Sequence, residues 1–343
     1  MTKKTILVTG GGGYIGSVLT SELLKHGYGV KVLDRLYFGI ESIEEHLNNP
    51  DFELIQNDIR YVNKSVFENV DAVLHLAALS NDPLCEIDPK ITKSINYRGT
   101  IRIAKLAKEM GVKRFIFSSS CSIYGSSEDL QLTEESPLNP VSQYAKSKIM
   151  AEKELLKLAD DNFIVTILRN GTVYGLSKRM RFDLVVNIMT LHAFKNKKIQ
   201  IAGDGLQWRP NVHVQDVAKA FLITLEAPNT KIQRQIFNVG SSEQNYQVIQ
   251  IANMVKSVMP ETVIEYVLSD PDRRNYNVNF DKIKNVFDRS VGKSVMDGIK
   301  EIKEGLEKRI ITDDIKTKTL DYYKYLLEAN KIIKNVSLRE KIL

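Results

Sequence analysis

The chain has 343 residues, 43% hydrophobic and 26% charged, with a formal net charge of +6. This is the balance of a globular protein large enough for one large core or two lobes, and a basic excess suits solubility or an anionic substrate. It excludes several classes: charged residues interrupt every apolar run before it could span a membrane, Cys85 and Cys121 make no disulfide framework, and no basic block marks a nucleic-acid binder.

From the N-terminus, the apolar run in MTKKTILVTGGGG is too short for a secretory signal, so a cytoplasmic location is expected. TILVTG (5–10) reads as a strand and YIGSVLTSELLKHG (14–27) as a helix. VKVLD (30–34), FELIQND (52–58) and AVLHLAA (72–78) are further strands. A long helical pattern covers about 86–110, RFIFSS (114–119) is a strand, 144–159 is a helix, and FIVTILR (163–169) closes the series. Short apolar strands alternating with helices predict a Rossmann-type, doubly wound parallel sheet of the α/β class.

Past about residue 170 the rhythm weakens, with helical patterns near 181–195, 214–226, 244–258 and 295–308. IFNVG (236–240) reads as one more strand of the first sheet. No linker separates the halves, so a smaller α/β substrate lobe is expected to interleave with the first. One unit takes 1–168 plus about 214–258, the other about 169–213 plus 259–343. The Lys-rich stretch from about 312 predicts a surface helix and a mobile end.

TGGGGYIG places Gly10, Gly13 and Gly16 as GxxGxxG between the first strand and first helix, with Tyr14 and Ile15 inside the motif. Glycines there permit a tight turn and close approach of a pyrophosphate to the helix N-terminus. Asp34 ends the second strand, where an acid binds the adenosine ribose, and its charge favours NAD over NADP. Asp58 and Ile59, after the third strand, are placed to border the adenine. The five histidines are scattered without HxH or HExxH, so no metal is expected.

Tyr144 and Lys148 lie four apart, on one face of a helix. A lysine cation near a phenol favours the phenolate and makes tyrosine a usable base. Together with SSSCSIYG (118–125), NYRGT (96–100), LRNGTVYG (168–175) and RPNVHVQDVA (209–218), these motifs resemble the extended short-chain dehydrogenases/reductases of the NAD-dependent epimerase/dehydratase family, which act on nucleotide sugars. The resemblance runs from residue 3 to about 310.

The resemblance implies that Tyr144 takes a proton from a sugar hydroxyl, usually at C4, while hydride passes to NAD. Lys148 would bind the nicotinamide ribose, and Ser120 would hydrogen-bond the reacting oxygen. Ala77 and Ala78 would line the cofactor, and Asn96 would support the site. Ser80, Ser122, Thr172, Asn187 and Arg209 would face the nucleotide-diphosphate sugar, with either Arg273 or Arg274 as a second phosphate ligand. Thr172 replaces an Asn of many relatives, and MRFDLVVN (180–187) departs from the common epimerase segment. A homodimer through the helices near 86–110 and 144–159 is also implied.

Ser120-Cys121-Ser122 stands where 4,6-dehydratases of this family keep Thr-Asp-Glu, so the usual elimination lacks its acid and base. C4 epimerisation through a 4-keto intermediate is the expected reaction. The alternatives are a dehydratase of another regiochemistry using Cys121 in proton transfer, or a net C4 oxidase or reductase. Cys121 is either such a catalytic thiol or a small packing residue. Retention of Tyr144, Lys148 and Ser120 argues against a non-catalytic NAD-binding regulator.

Overall fold

In the computed structural model, residues 3–268, 272, 274–287 and 292–337 are described. In chain order the strands and helices are β1 (Thr5–Thr9), α1 (Tyr14–Lys25), β2 (Gly29–Asp34), β3 (Phe52–Gln56), β4 (Ala72–His75), α2 (Asp82–Ile87), α3 (Pro89–Thr92), α4 (Thr100–Glu109), β5 (Arg114–Ser120), α5 (Gln143–Leu158), β6 (Ile164–Asn170) and β7 (Thr172–Tyr174). They continue with α6 (Val185–Asn196), β8 (Lys198–Ala202), β9 (Trp208–His213), α7 (Val214–Glu226), α8 (Asn229–Ile232), β10 (Gln235–Val239), β11 (Asn245–Gln247), α9 (Val248–Val258), β12 (Val263–Val267), α10 (Asp281–Phe287), α11 (Val295–Glu307) and α12 (Thr319–Val336).

Seven strands form one parallel sheet in the order β10-β6-β5-β4-β1-β2-β3. Successive residues of each strand point to opposite faces. Ile6 and Val8 therefore pack into the layer with α1 and α7, and Leu7 into the layer with α4 and α5. Both faces are covered, so the strands read as continuous apolar runs rather than alternating ones. The strand order reverses between β1 and β4, which leaves a crevice at the strands' carboxyl ends.

Smaller sheets, β11-β9-β7 and β12-β8, lie beyond β6 in the chain. The expected strand at 236–240 is β10, paired in parallel with β6. Helix α9, grouped with the first unit in the sequence, packs instead against α6 and α11 through Ile251, Ala252 and Val255.

The expected 86–110 helix is broken. Asp88 accepts hydrogen bonds from the Lys90 and Ile91 amides, Pro89 starts α3, and a π-helical turn at Lys93–Gly99 precedes α4. Proline has no N–H for the ladder and clashes with the preceding turn. The π turn carries Asn96, whose amide brackets Leu79 through both its N–H and its carbonyl. The C-terminal helix is also corrected. It is largely exposed, but its first turn is part of the crevice wall: Tyr323 packs edge-on against Tyr37 and Phe38, with ring centroids 5.3 and 5.5 Å apart. The expected mobile end falls at residues 338–343, outside the described residues.

Beneath the crevice, α5 is keyed to the sheet by a buried ion pair. Arg169 on β6 meets Glu152 on α5 at 2.8 Å, with both side chains only 4% exposed. Ser119 on β5 donates to the same carboxylate, and Arg169 also donates to the Tyr124 hydroxyl and the Glu134 carbonyl. Removing one partner strands the other charge in the interior, so E152Q and R169M should each lose about 3–5 kcal/mol of unfolding free energy in urea denaturation. The double variant R169M/E152L should lose less than either single one, because no buried charge remains.

Candidate active site

The crevice is a cleft of about 720 Å³. The glycine motif, Asp34, Asp58, Ile59, Ala77, Ala78, Ser80, Ser120, Ser122, Tyr144, Lys148, Thr172, Arg209 and Arg274 all line it. Residues spread over more than 260 positions of sequence are thus brought to one cavity.

At one end, β1 turns through Gly10 at φ +75, and a Cβ there would stand 2.8 Å from the Ala77 amide nitrogen. At Gly16 a Cβ would meet the Gly10 carbonyl oxygen at 2.0 Å, so only glycine lets α1 start this close to the turn. Gly13 caps α1 without a side-chain hydrogen bond, which leaves the first-turn N–H groups for an anion. Asp34 accepts from the Gly12 amide at 2.9 Å and the Leu36 amide at 2.8 Å, which fixes its carboxylate at the ribose end. Arg35 turns away to Asp58 at 2.8 Å, and Arg60 holds Asp58 from the other side at 2.7 Å. Although burial opposes it, these arginines hold the Asp58 carboxyl down at about 2. The Tyr14 hydroxyl donates to the Gly175 carbonyl at 2.7 Å, fastening the glycine turn to the second half of the chain.

In the middle of the cleft, β5 ends at Ser120 and a 3₁₀ turn, Cys121–Tyr124, follows. Ser142 caps α5 by accepting from the Ala145 amide, which sets the turn carrying Tyr144. The Ser120 hydroxyl faces the Tyr144 phenol. Lys148 Nζ donates to the Ser118 carbonyl at 2.6 Å and lies 5.7 Å from the Tyr144 ring centre. Burial pushes the lysine down to about 8. It also pushes the Tyr144 phenol up, and Asp82 and Cys85 add to the rise. The expected lowering of the phenol by Lys148 is therefore outweighed when only the protein's own groups act. Ser122 Oγ and Asn170 Oδ1 are buried without a partner among the described residues, and both residues line the cleft.

Two expected site residues are placed elsewhere. Cys121 is fully buried and absent from the cleft wall, because the turn after Ser120 directs its side chain into the core with Ile123, Tyr124 and Tyr276. Its thiol donates to the Arg169 carbonyl at 3.2 Å, and burial holds its pKa well above the usual thiol value. That placement supports the packing reading of Cys121 over the proton-transfer one. Asn187 is also fully buried behind the wall: its amide donates to the Tyr14 hydroxyl and the Arg181 carbonyl and accepts from the Gly175 amide. It holds the loop rather than facing a ligand.

At the far end, Arg209 pairs with Asp272 at 3.0 Å, and Arg274 spans the cleft to Asp82 at 2.8 Å while also engaging Asp272. Of the two alternatives for the second phosphate ligand, Arg274 is at the cleft and Arg273 lies outside the described residues. The sequence reading missed Arg179, Arg181 and Asp183, all of which line the cleft. Arg181 pairs with Asp183 at 2.6 Å, and Asn81 donates to the same carboxylate at 2.7 Å. The departure at 180–187 was the visible signal for Arg181 and Asp183.

The family model of the NAD dependent epimerase/dehydratase family matches residues 6–240. The chain belongs to that family. A UDP-glucose 4-epimerase of Lactobacillus helveticus is 32% identical over 290 residues, covering 78% of this chain and 86% of the relative. A dTDP-D-glucose 4,6-dehydratase of Mus musculus is 32% identical over 268 residues, covering 76% and 74%. The structure of a UDP-glucose 4-epimerase from Thermotoga maritima with UDP-glucose superposes with a TM-score of 0.79 at 27% identity, over 90% of this chain and all of that one. The protein is therefore an NAD-dependent nucleotide-sugar enzyme of the epimerase/dehydratase family. The glycine cradle, the free N–H groups of α1 and the fixed Asp34 carboxylate fit that cofactor. Among the described residues, no helix is long and apolar enough to cross a membrane.

Two outcomes follow for this epimerase/dehydratase family member. C121A should lose about 1 kcal/mol of stability in urea denaturation and keep turnover within about twofold of wild type, as a packing residue does. Lys148 titrates at about 8 in the folded chain, against 10.5 as its ordinary value. Between those values the unfolded chain binds more protons, so this lysine's contribution to stability rises with pH. K148M should therefore be more stable than wild type at pH 7, and the difference should shrink between about pH 8 and 10.5, read by denaturant melts across that range.

Proposed function

We propose that this enzyme inverts C4 of a nucleotide-diphosphate sugar through a 4-keto intermediate. The carrying observation is the pairing of the carboxylates around Tyr144. Asp82 is held by Arg274 and by the Ser142 hydroxyl, Asp183 by Arg181 and Asn81, and Asp272 by Arg209 and Arg274. At the end of β5 the cleft presents hydroxyls, from Ser118, Ser120 and Ser122. Such a wall supports removal and return of hydride, which needs one proton carrier. Among the described residues of that wall, no second acid–base pair is left free for the expulsion of water.

Tyr144, as phenolate, takes the proton of the C4 hydroxyl, and Ser120 donates a hydrogen bond to that oxygen as it becomes a carbonyl. NAD⁺, when bound, supplies the hydride acceptor and a positive ring charge that favours the phenolate. Lys148, beneath the phenol, is placed to hold the nicotinamide ribose and the phenolate together. Arg209 and Arg274 are positioned to grip the substrate diphosphate, with Thr172 and Ser80 on the cleft wall. Tyr144 then returns its proton when hydride comes back on the other face of the turned ketone.

A homodimer through α4 and α5 belongs to the same proposal. Ile87 on α2 and Ile91 on α3 are 46% and 44% exposed, and a groove on the π turn and α4 is lined by Tyr97, Ile101 and Leu106.

The protein is to be incubated with UDP-, GDP-, CDP- and dTDP-sugars and its products read by mass and by NMR. One of them should return a product of unchanged mass with C4 inverted, and Y144F should lower that rate by about 100-fold or more. Loss of one water would reject epimerisation in favour of elimination, and loss of two hydrogens would indicate net oxidation.

A further inference from the structure

Among the described residues, Arg179 differs from the other arginines of the core and the cleft. Arg169 is matched by Glu152, Arg181 by Asp183, Arg209 by Asp272, and Arg274 by Asp82 and Asp272. Arg179 is 7% exposed, lines the cleft, and is paired with no carboxylate among the described residues. Its guanidinium carbon lies over the Phe38 ring, 3.6 Å from the ring centre, while the group donates to Thr319 Oγ1 at 3.0 Å and reaches the Met180 carbonyl only at 3.4 Å. Nε is buried without an acceptor. An interior guanidinium left this bare is costly, and burial pushes its pKa down to about 10. The fold nevertheless clamps it in place. Thr319, at the start of α12, accepts from Arg179 and donates to Asp183 at 3.2 Å, and Tyr323 one turn later packs on Phe38.

The position identifies the missing anion. Two residues before Arg179, the Ser177 hydroxyl donates to the Tyr14 carbonyl at 2.8 Å and meets Ser17 Oγ at 3.1 Å. The segment thus runs along the first turn of α1, where free N–H groups already favour a phosphate. On its other side stand Phe38 and the Asp34–Leu36 turn of the adenosine end. We propose that Arg179 is an anion-binding residue of the cofactor cleft, its guanidinium receiving the diphosphate bridge of NAD while the first turn of α12 holds it against that bridge. The proposal rests on the family reading that NAD occupies this cleft. The 2′-phosphate of NADP is the other phosphate a dinucleotide could offer, but the Asp34 carboxylate stands at that ribose and repels it. Arg179 and α12 together make release of the cofactor slow, which suits a reaction that reoxidises it in each cycle.

The test uses the full chain stripped of cofactor, as wild type, R179M and R179K, titrated calorimetrically with NAD, NADP, ADP and adenosine. R179M should bind NAD and ADP about 10- to 100-fold more weakly than wild type, the size of a lost charge-assisted hydrogen bond, while adenosine affinity stays unchanged. R179K, which keeps the charge, should retain more of that affinity. In thermal melts, stripped R179M should be at least as stable as stripped wild type, because a bare buried charge has been removed, and added NAD should raise its midpoint less. Equal affinity of R179M and wild type for NAD and ADP would overturn the proposal. So would a stripped R179M that melts lower and loses adenosine binding in step, which is the mark of a merely structural arginine. A wild type that prefers NADP, with the preference erased in R179M, would move the anion to the 2′-phosphate and overturn the assignment to the bridge. A wild type that binds no NAD would overturn the cofactor reading itself, and this proposal with it.

Discussion

The Arg169–Glu152 pair is the constraint on which the cleft depends. It joins β6 to α5 inside the protein, and the Ser119 hydroxyl adds β5 to the same carboxylate. Tyr144 and Lys148 stand on the helix so keyed, and Ser118, Ser119 and Ser120 on the strand. Arg169 also fixes the turn after β5 through the Tyr124 hydroxyl. A buried ion pair gains little net stability over an apolar filling, but it tolerates few alternative registers. Here that selectivity sets where a phenol meets a hydroxyl across two elements, a geometry whose tolerance for chemistry is a fraction of an ångström.

Around that fixed centre, charge is distributed unevenly. The sugar end carries carboxylates and arginines that neutralise one another across the cleft, with Arg274 joining residues 192 positions apart. The cofactor end carries donors still in want of acceptors: the N–H groups of α1 and the guanidinium of Arg179. A paired end, whose arginines can exchange their carboxylate partners for a diphosphate, suits a substrate that comes and goes, and an unpaired end suits a permanently held anion. The raised phenol of Tyr144 fits the same logic, since a base that stays protonated until the cofactor's positive charge arrives is idle without it.

Much of this was legible in the sequence, for physical reasons. GxxGxxG, Asp34 and the Tyr144–Lys148 spacing are local: backbone turns and helical periodicity place them without long-range knowledge. The parallel sheet follows from apolar runs between helices, and even β10 declared itself as IFNVG. What escaped depended on direction or distance. Cys121 sits between two serines that face the cleft, and only the 3₁₀ turn decides that its own side chain does not. Asn187 lies on a helix whose inner face is invisible until packed. The 86–110 pattern is amphipathic throughout, so it concealed the break at Pro89 and the π turn that aims Asn96. Arg179 and Thr319 are 140 positions apart, and nothing in a Lys-rich terminal helix announces that its first turn closes a cofactor cleft.

The central claim is that hydride leaves and re-enters the same sugar carbon while one tyrosine carries one proton. Its most direct measurement is turnover, in D₂O and in H₂O, of the accepted nucleotide sugar carrying deuterium or protium at C4, followed by NMR. Both C4 epimers should keep the original isotope at C4, and no solvent isotope should enter any ring carbon. Transfer of the label to C6, solvent exchange at C5, or its escape into released reduced cofactor would contradict it.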